Sequence, residues 1–233
     1  ASASISAGVA HNSNKLVKIS DALRSINDEQ DEKVGDYKSD RKPVVRFAEG
    51  QSMTAIWAVK SLGIDLINGR EVFVKKDGSL SYTWDTNDQI VAGDSEAKLT
   101  GNIGAAMEYM GLSLNLSFTF KYGGQTYNST LLNKIENVDV ASVNVDKRVL
   151  YDRWNTPGVA AKYKDIINRS NTYPTTRFVE DLDEFVFSAI SVGYDFSELN
   201  FVKRSPIDRL RLSFNMNDIG RISTVKQERG TEY

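Results

Sequence analysis

GLSLNLSFTFKYGG, residues 111–124, alternates without a break across its middle. Leu112, Leu114, Leu116, Phe118, Phe120 and Tyr122 are apolar or aromatic; Ser113, Asn115, Ser117, Thr119 and Lys121 stand between them. A period of two places one set on each face of a β-strand. The strand has a greasy face and a polar face, and the fold depends on whether the greasy face meets a protein core or lipid.

Four more segments repeat the pattern. Residues 2–11 alternate through Ala3, Ile5, Ala7 and Val9, and residues 101–109 through Ile103, Ala105, Met107 and Tyr109. Residues 185–196 do so through Ile190, Val192, Tyr194 and Phe196, and residues 209–218 through Leu210, Leu212, Phe214 and Met216. Each segment is roughly ten residues long, enough for a tilted strand to span a bilayer and at the long end for a globular protein.

The connections alternate as well. About 90 residues separate the first two strands, and a two-residue turn, Met110-Gly111, separates the second and third. About 60 residues lead to the fourth strand, and about a dozen (SELNFVKRSPID) to the fifth. Compact soluble domains rarely carry loops beyond about 15 residues. Long connections on one side and short turns on the other are the pattern of an up-and-down membrane barrel.

The long connections carry local signals of their own. Residues 21–42 are charge-rich and read as a mobile loop. Residues 70–84 read as a hairpin turning at Asp77-Gly78. Residues 146–154 predict two helical turns that end before Pro157-Gly158.

Composition excludes several chemistries. The 233 residues include no cysteine, so disulfide scaffolds, thiolate metal sites and thiol catalysis are ruled out. A formal charge of −2 gives no electrostatic reason to expect nucleic acid. No uninterrupted apolar run exceeds about five residues, so no helix crosses a membrane. The one histidine, His11, has no second imidazole to share a metal and reads as a strand-to-loop boundary. The acid pairs Glu180-Asp181 and Asp183-Glu184 read as solvated. DTNDQ, 85–89, starts like a calcium loop, but Ile90 stands where that loop needs glycine. No catalytic residue, metal ligand or cofactor site is therefore expected.

Five longer blocks, in order, resemble a known family. They are EGQSMTAIWAVKSLGIDLINGREVFVKKDGS (49–79), YGGQTYNSTLLNKIENVD (122–139), VDKRVLYDRWNTPG (145–158), TRFVEDLDEFVFSAISVGYDF (176–196) and LRLSFNMNDIGRISTVKQERGTEY (210–233). Together they are similar to the C-terminal third of SusC/RagA-type TonB-linked outer-membrane receptors. The resemblance implies an all-β fold, an antiparallel up-and-down transmembrane barrel segment with long extracellular loops, supplying about five of about 22 strands. It implies that residues 1–233 are the C-terminal part of that barrel, with the plug domain and the final strand absent. It further implies uptake of oligosaccharides or peptides, without enzymatic chemistry, across the outer membrane of a Gram-negative bacterium. The expected partners are a SusD-like surface lipoprotein, outer-membrane lipid, and the TonB complex acting through the missing plug. The loops at about 12–100 and 123–184 are then extracellular.

The substrate contacts expected on this reading are loop aromatics, because a flat ring offers a stacking surface to a sugar: Trp57, Trp84, Trp154, Tyr127 and Tyr151, with Tyr163 nearby in sequence. The competing use of each is packing the loops together. The rival to the whole reading is a soluble carbohydrate-binding β-sandwich, whose greasy faces would meet across a core. A secreted glycosidase is a further rival, and it lacks a carboxylic acid in an apolar setting.

Overall fold

The computed structural model describes residues 1–35, 43 and 45–225. In chain order its elements are β1 (Ser2–His11), α1 (Asp21–Gly35), β2 (Ala55–Val59), β3 (Ser61–Ile64), β4 (Glu71–Val74), β5 (Leu80–Ser81), β6 (Gln89–Asp94), β7 (Leu99–Tyr109), β8 (Leu112–Tyr127), β9 (Val179–Asp195), α2 (Asn200–Lys203) and β10 (Arg211–Ser223). They fall into two units. One comprises Ala1–Asn12, Ala97–Gly124 and the described residues from Leu182 onward; the other comprises the described residues of Ser13–Glu96 and Gln125–Asp181.

The first unit is a five-stranded sheet in the order β1-β7-β8-β9-β10. β1 pairs antiparallel with β7 from Ser2↔Glu108 to His11↔Leu99, and β7 with β8 from Leu99↔Tyr122 to Tyr109↔Leu112. Between β8 and β9, the Asp195 amide donates to the Gly111 carbonyl at 2.8 Å, and Ser113 Oγ donates to the Gly193 carbonyl at 3.3 Å. Residue numbers rise along one strand as they fall along the other, so this pair is antiparallel too. β9 and β10 pair from Arg211↔Asp195 to Ser223↔Glu184, with a bulge between Asn217 and Gly220.

All five alternating segments of the sequence are strands of this sheet. Three run further than the alternation predicts. β8 continues to Tyr127 and β9 begins at Val179, because polar pairs take over from apolar ones; the Gly123 amide, for example, donates to Asp183 Oδ1 at 2.7 Å. β10 continues past residue 218 because the bulge, with Asp218 at φ 51°, absorbs the break in alternation. The Met110-Gly111 turn needs positive φ at both residues to match the strand twist, and has φ 45° and 86°.

Cross-strand register carries the apolar alternation from strand to strand. Ala7 lies opposite Ile103 and Ile103 opposite Phe118, whose ring stacks on Phe187 and Phe185 at centroid distances of 4.7 and 5.6 Å. Phe185 lies opposite Ile222. The same face stays open: Ile5 is 83% exposed, Phe214 61% and Ile222 75%. Among the described residues, the only buried apolar side chains of this unit are Val202 and Val225, both outside its strands.

The second unit has apolar residues inside. Ile56, Ala58, Val59, Ile64, Phe73, Leu132, Ile135, Val149 and Phe178 form its core. Burying a side chain such as Phe178 stabilises by roughly 1.5–3 kcal/mol. β2 and β6 form a two-stranded sheet, and β3, β4 and β5 a three-stranded one. The β4–β5 hairpin turns at Asp77-Gly78 as its sequence predicts, with Gly78 at φ 84° and Asp77 Oδ1 accepting from the Ser79 amide at 2.8 Å.

Two loop readings are corrected. Residues 21–35 of the charge-rich stretch are not a mobile loop but the helix α1; the remainder, to residue 42, lies outside the described residues. Ser20 Oγ caps the helix by accepting from the Leu23 amide. Asn27 fixes it by accepting from the Phe47 amide and donating to the Phe47 carbonyl, both at 2.8 Å, and Asp31 receives two bonds from Arg46. The helix predicted over 146–154 shrinks to one tight turn, Lys147–Leu150. Asp146 caps that turn and also binds the Arg148 side chain, and Tyr151 returns to extended backbone.

Candidate functional site

The second unit is organised around a buried ionic cluster. Arg177, in the short turn Thr176–Phe178 before β9, donates from Nε and Nη2 to the two oxygens of Glu71 at 2.8 and 2.7 Å. Nη2 also donates to Glu136 Oε1 at 2.8 Å, and Nη1 to the Lys162 carbonyl at 2.5 Å. Glu71 opens β4; Glu136 ends the wide helical turn Leu131–Glu136 and is buried. Burial opposes the Arg177 charge, but Glu71 and then Glu136 outweigh it and hold the guanidinium pKa above its ordinary value. The remaining Glu136 oxygen accepts from the Lys164 amide at 3.3 Å.

Beside this cluster lies a cavity of about 320 Å³. Its aromatic wall is Trp84 stacked on Tyr173, with ring centroids 4.8 Å apart and planes 25° from parallel. Trp84 Nε1 donates to the Pro174 carbonyl at 3.1 Å, which fixes the indole. A second edge is Arg70, whose guanidinium lies 4.7 Å from the centre of the Tyr82 ring. The Tyr82 hydroxyl is bonded to Asp65. Lys164 lies in the wall, only 5% exposed, and its ammonium donates to Asn137 Oδ1 at 3.2 Å and to the Ser170 carbonyl. Burial lowers the Lys164 pKa to about 8, against the pull of Glu136.

Of the five aromatics expected to contact substrate, Trp84 alone lines this cavity. Trp57 lies on β2 beneath Arg46, 5.8 Å from guanidinium to ring, and its Nε1 is buried without a partner among the described residues. Tyr127 packs edge-on against Phe178 at 6.1 Å. Trp154 donates from Nε1 to the Leu66 carbonyl at 3.0 Å and covers Gly69; a Cβ there would lie 2.5 Å from the indole. Tyr151 is exposed and does not line this cavity. Tyr163 lies in the cation–π range of Arg153. Trp57, Tyr127 and Trp154 thus have their ring or indole partners away from this cavity.

Tyr173, Tyr82, Arg70 and Lys164 have no local signal in the sequence. Tyr173 reaches Trp84 across 89 positions, and only folding pairs them. The acidic pairs are occupied in structure. Asn128 Nδ2 donates to Glu180, Gln125 Nε2 to Asp181, the Gly123 amide to Asp183, and Arg221 to Glu184. Asp85 caps the turn Thr86–Asp88. His11 Nδ1 donates to the Lys98 carbonyl at 2.5 Å. Among the described residues, no cluster of three or more His, Cys, Asp or Glu is placed to hold a metal ion.

No family model matches the chain, and no match is found among curated proteins. The chain is similar to solved structures of an importer. Against the RagAB peptide transporter, the TM-score is 0.65 at 14% identity, over 77% of this chain and 20% of that one. Against the RagAB peptide importer in its open-open state, it is 0.60 at 15%, over 76% and 19%. Against the closed-closed state, it is 0.57 at 16%, over 77% and 20%. The likeness is one of fold: an all-β, antiparallel, up-and-down sheet with long excursions, spanning about a fifth of each of those chains.

Proposed function

We propose that the chain is part of the barrel of a TonB-dependent transporter in a Gram-negative outer membrane, importing peptides or oligosaccharides. The observation that carries this reading is an apolar face that stays exposed or half-exposed along all five strands of a sheet that buries none of its apolar strand residues. A bilayer is the solvent that such a face fits. The fold likeness to RagAB, named a peptide transporter, supports the same class and makes peptides the first cargo to test. In this reading the excursions 12–98 and 128–178 face the cell exterior, and a SusD-like lipoprotein covers them. In this reading energy arrives from TonB through a plug domain. Trp84 is the aromatic we assign to substrate contact, and no covalent chemistry is involved. The sandwich alternative requires Ile5 and Phe214 in a core, where their exposure of 83% and 61% does not put them.

The test is uptake. Cells of the source bacterium that lack the gene should lose import of labelled oligopeptides or oligosaccharides, and a protonophore should abolish import in the wild type. Unchanged import of both cargo classes in the deletion strain contradicts the proposal.

A further inference from the structure

We infer that the cavity beside the ionic cluster is a subsite for a carboxylate joined to a flat apolar face, with the carboxylate taken by Lys164 and Arg70 and the flat face by Trp84 and Tyr173. This rests on the transporter reading and names the chemistry of its cargo. The two acids in the wall share the Arg177 guanidinium, and the Lys164 ammonium balances their second charge, so the cluster is neutral as a whole and Arg70 is the cation in excess. Both oxygens of Glu71 are taken by Arg177, and those of Glu136 by Arg177, the Lys164 amide and, at 3.4 Å, Thr172 Oγ1. They offer little to a cationic ligand.

The cations keep capacity. An ammonium has three N–H donors, and Lys164 has two acceptors among the described residues. Arg70 spends one donor on the Tyr82 carbonyl at 3.4 Å and makes no ion pair among the described residues. A buried ammonium with a donor left over is stabilised by an anion, and the lowered Lys164 pKa shows how far burial disfavours its charge. The Trp84–Tyr173 stack beside it suits a sugar ring or a planar peptide unit. A volume of about 320 Å³ holds one or two residues of either polymer. The carboxylate comes from one of two sources: the C-terminus of a peptide or a uronic acid in an oligosaccharide.

The experiment is calorimetric titration of the protein with its full native chain, purified in detergent. The probes are Ala-Ala-Phe and its C-terminal amide, and trigalacturonate and its methyl ester. At least one acid should bind, and its neutral counterpart about tenfold more weakly or worse, as loss of a charge-assisted contact implies. Lys164→Met and Trp84→Ala should each raise Kd about tenfold. Lys164→Met also removes bonds to Asn137 and Ser170, so the exposed Arg70→Met, expected to raise Kd severalfold, keeps the test independent of folding. The acid that binds identifies the source. Equal binding of acid and neutral probes, no binding of either acid, or unchanged Kd in both cation variants overturns the subsite. Acid binding by protein from a strain that shows no transporter-dependent uptake overturns the transporter reading and leaves the subsite standing.

Discussion

The two units of this chain use the same apolar residue types in opposite ways. In the loop unit, Val59, Leu132, Ile135 and Phe178 are inside, and charges such as Glu71, Glu136 and Arg177 are bonded in the interior. In the sheet unit, Ile5, Leu212, Phe214 and Ile222 are outside, and the buried polar Ser113 binds Gly193 and Arg211 on the other face. A protein folding in water hides its apolar groups. On the proposed reading, a sheet that leaves them open on one face meets lipid, while the loop unit packs as a chain in water does.

The contrast can be broken most forcefully at Arg177. Arg177→Met strands Glu136 and Glu71 without their cation, and removing one partner of a buried pair costs about 3–5 kcal/mol. Hydrogen exchange should accelerate in β4 and the turn Leu131–Glu136 while β7 and β8 keep their protection. Equal acceleration throughout contradicts the division into two kinds of interior.

The sheet is tested next at two adjacent positions. Phe118→Arg, in the apolar row opposite Ile103, should cost about 2–4 kcal/mol in lipid. Ser117→Arg, opposite Gly104, should cost much less in the same folding assay. Equal tolerance removes the lipid assignment.

Two glycine turns, one in each unit, differ in what surrounds them. Gly111 and Gly78 have nearly the same φ, 86° and 84°. A Cβ on Gly111 would lie 2.7 Å from the Asp195 carbonyl oxygen of the neighbouring strand; one on Gly78 meets nothing within 4 Å. Gly111→Ala should cost about 1–3 kcal/mol and Gly78→Ala about 1, since only the first adds a clash to backbone strain. Chemical denaturation of the two variants checks the order.

The smallest expected effect is a titration. Burial disfavours the Lys164 ammonium, so the folded chain releases that proton near pH 8. The unfolded chain holds it to about pH 10.4. Between those values the unfolded state binds more protons, so this group makes the loop unit more stable as pH rises. In 13C-lysine spectra, one resonance should titrate near pH 8 and vanish in Lys164→Met. A spectrum in which every lysine titrates near 10 contradicts the burial.

The sheet was legible in the sequence because each strand states its own faces. Leu112 to Tyr122 alternate whatever they pair with, and the two-residue turn at 110–111 fixes the register of β7 on β8. The loop unit was not legible, because its order comes from distant partners. α1 carries the charges of a solvated loop, and it is held by Phe47 and Arg46 well beyond its own end. Glu71 and Arg177 meet across 106 positions, and Trp84 and Pro174 across 90. Trp57, Trp84 and Trp154 look alike in sequence, yet among them only Trp84 lines the cavity beside the ionic cluster, while Arg46 lies above Trp57 and Leu66 and Gly69 lie against Trp154.

On the proposed reading the apolar row of the sheet faces lipid and the loop unit faces water. The chain has no cysteine, so single cysteines can be placed and spin-labelled one at a time in the full native protein reconstituted in vesicles. Collision with oxygen, which concentrates in lipid, and with a water-soluble nickel chelate is then measured at each site along β10 and at Ile167, which is 81% exposed in the loop unit. Oxygen-dominated collision is expected at Leu212, Phe214 and Met216, and chelate-dominated collision at Ser213, Asn215 and Ile167. Chelate-dominated collision at Leu212, Phe214 and Met216, or no alternation along β10, would contradict that reading.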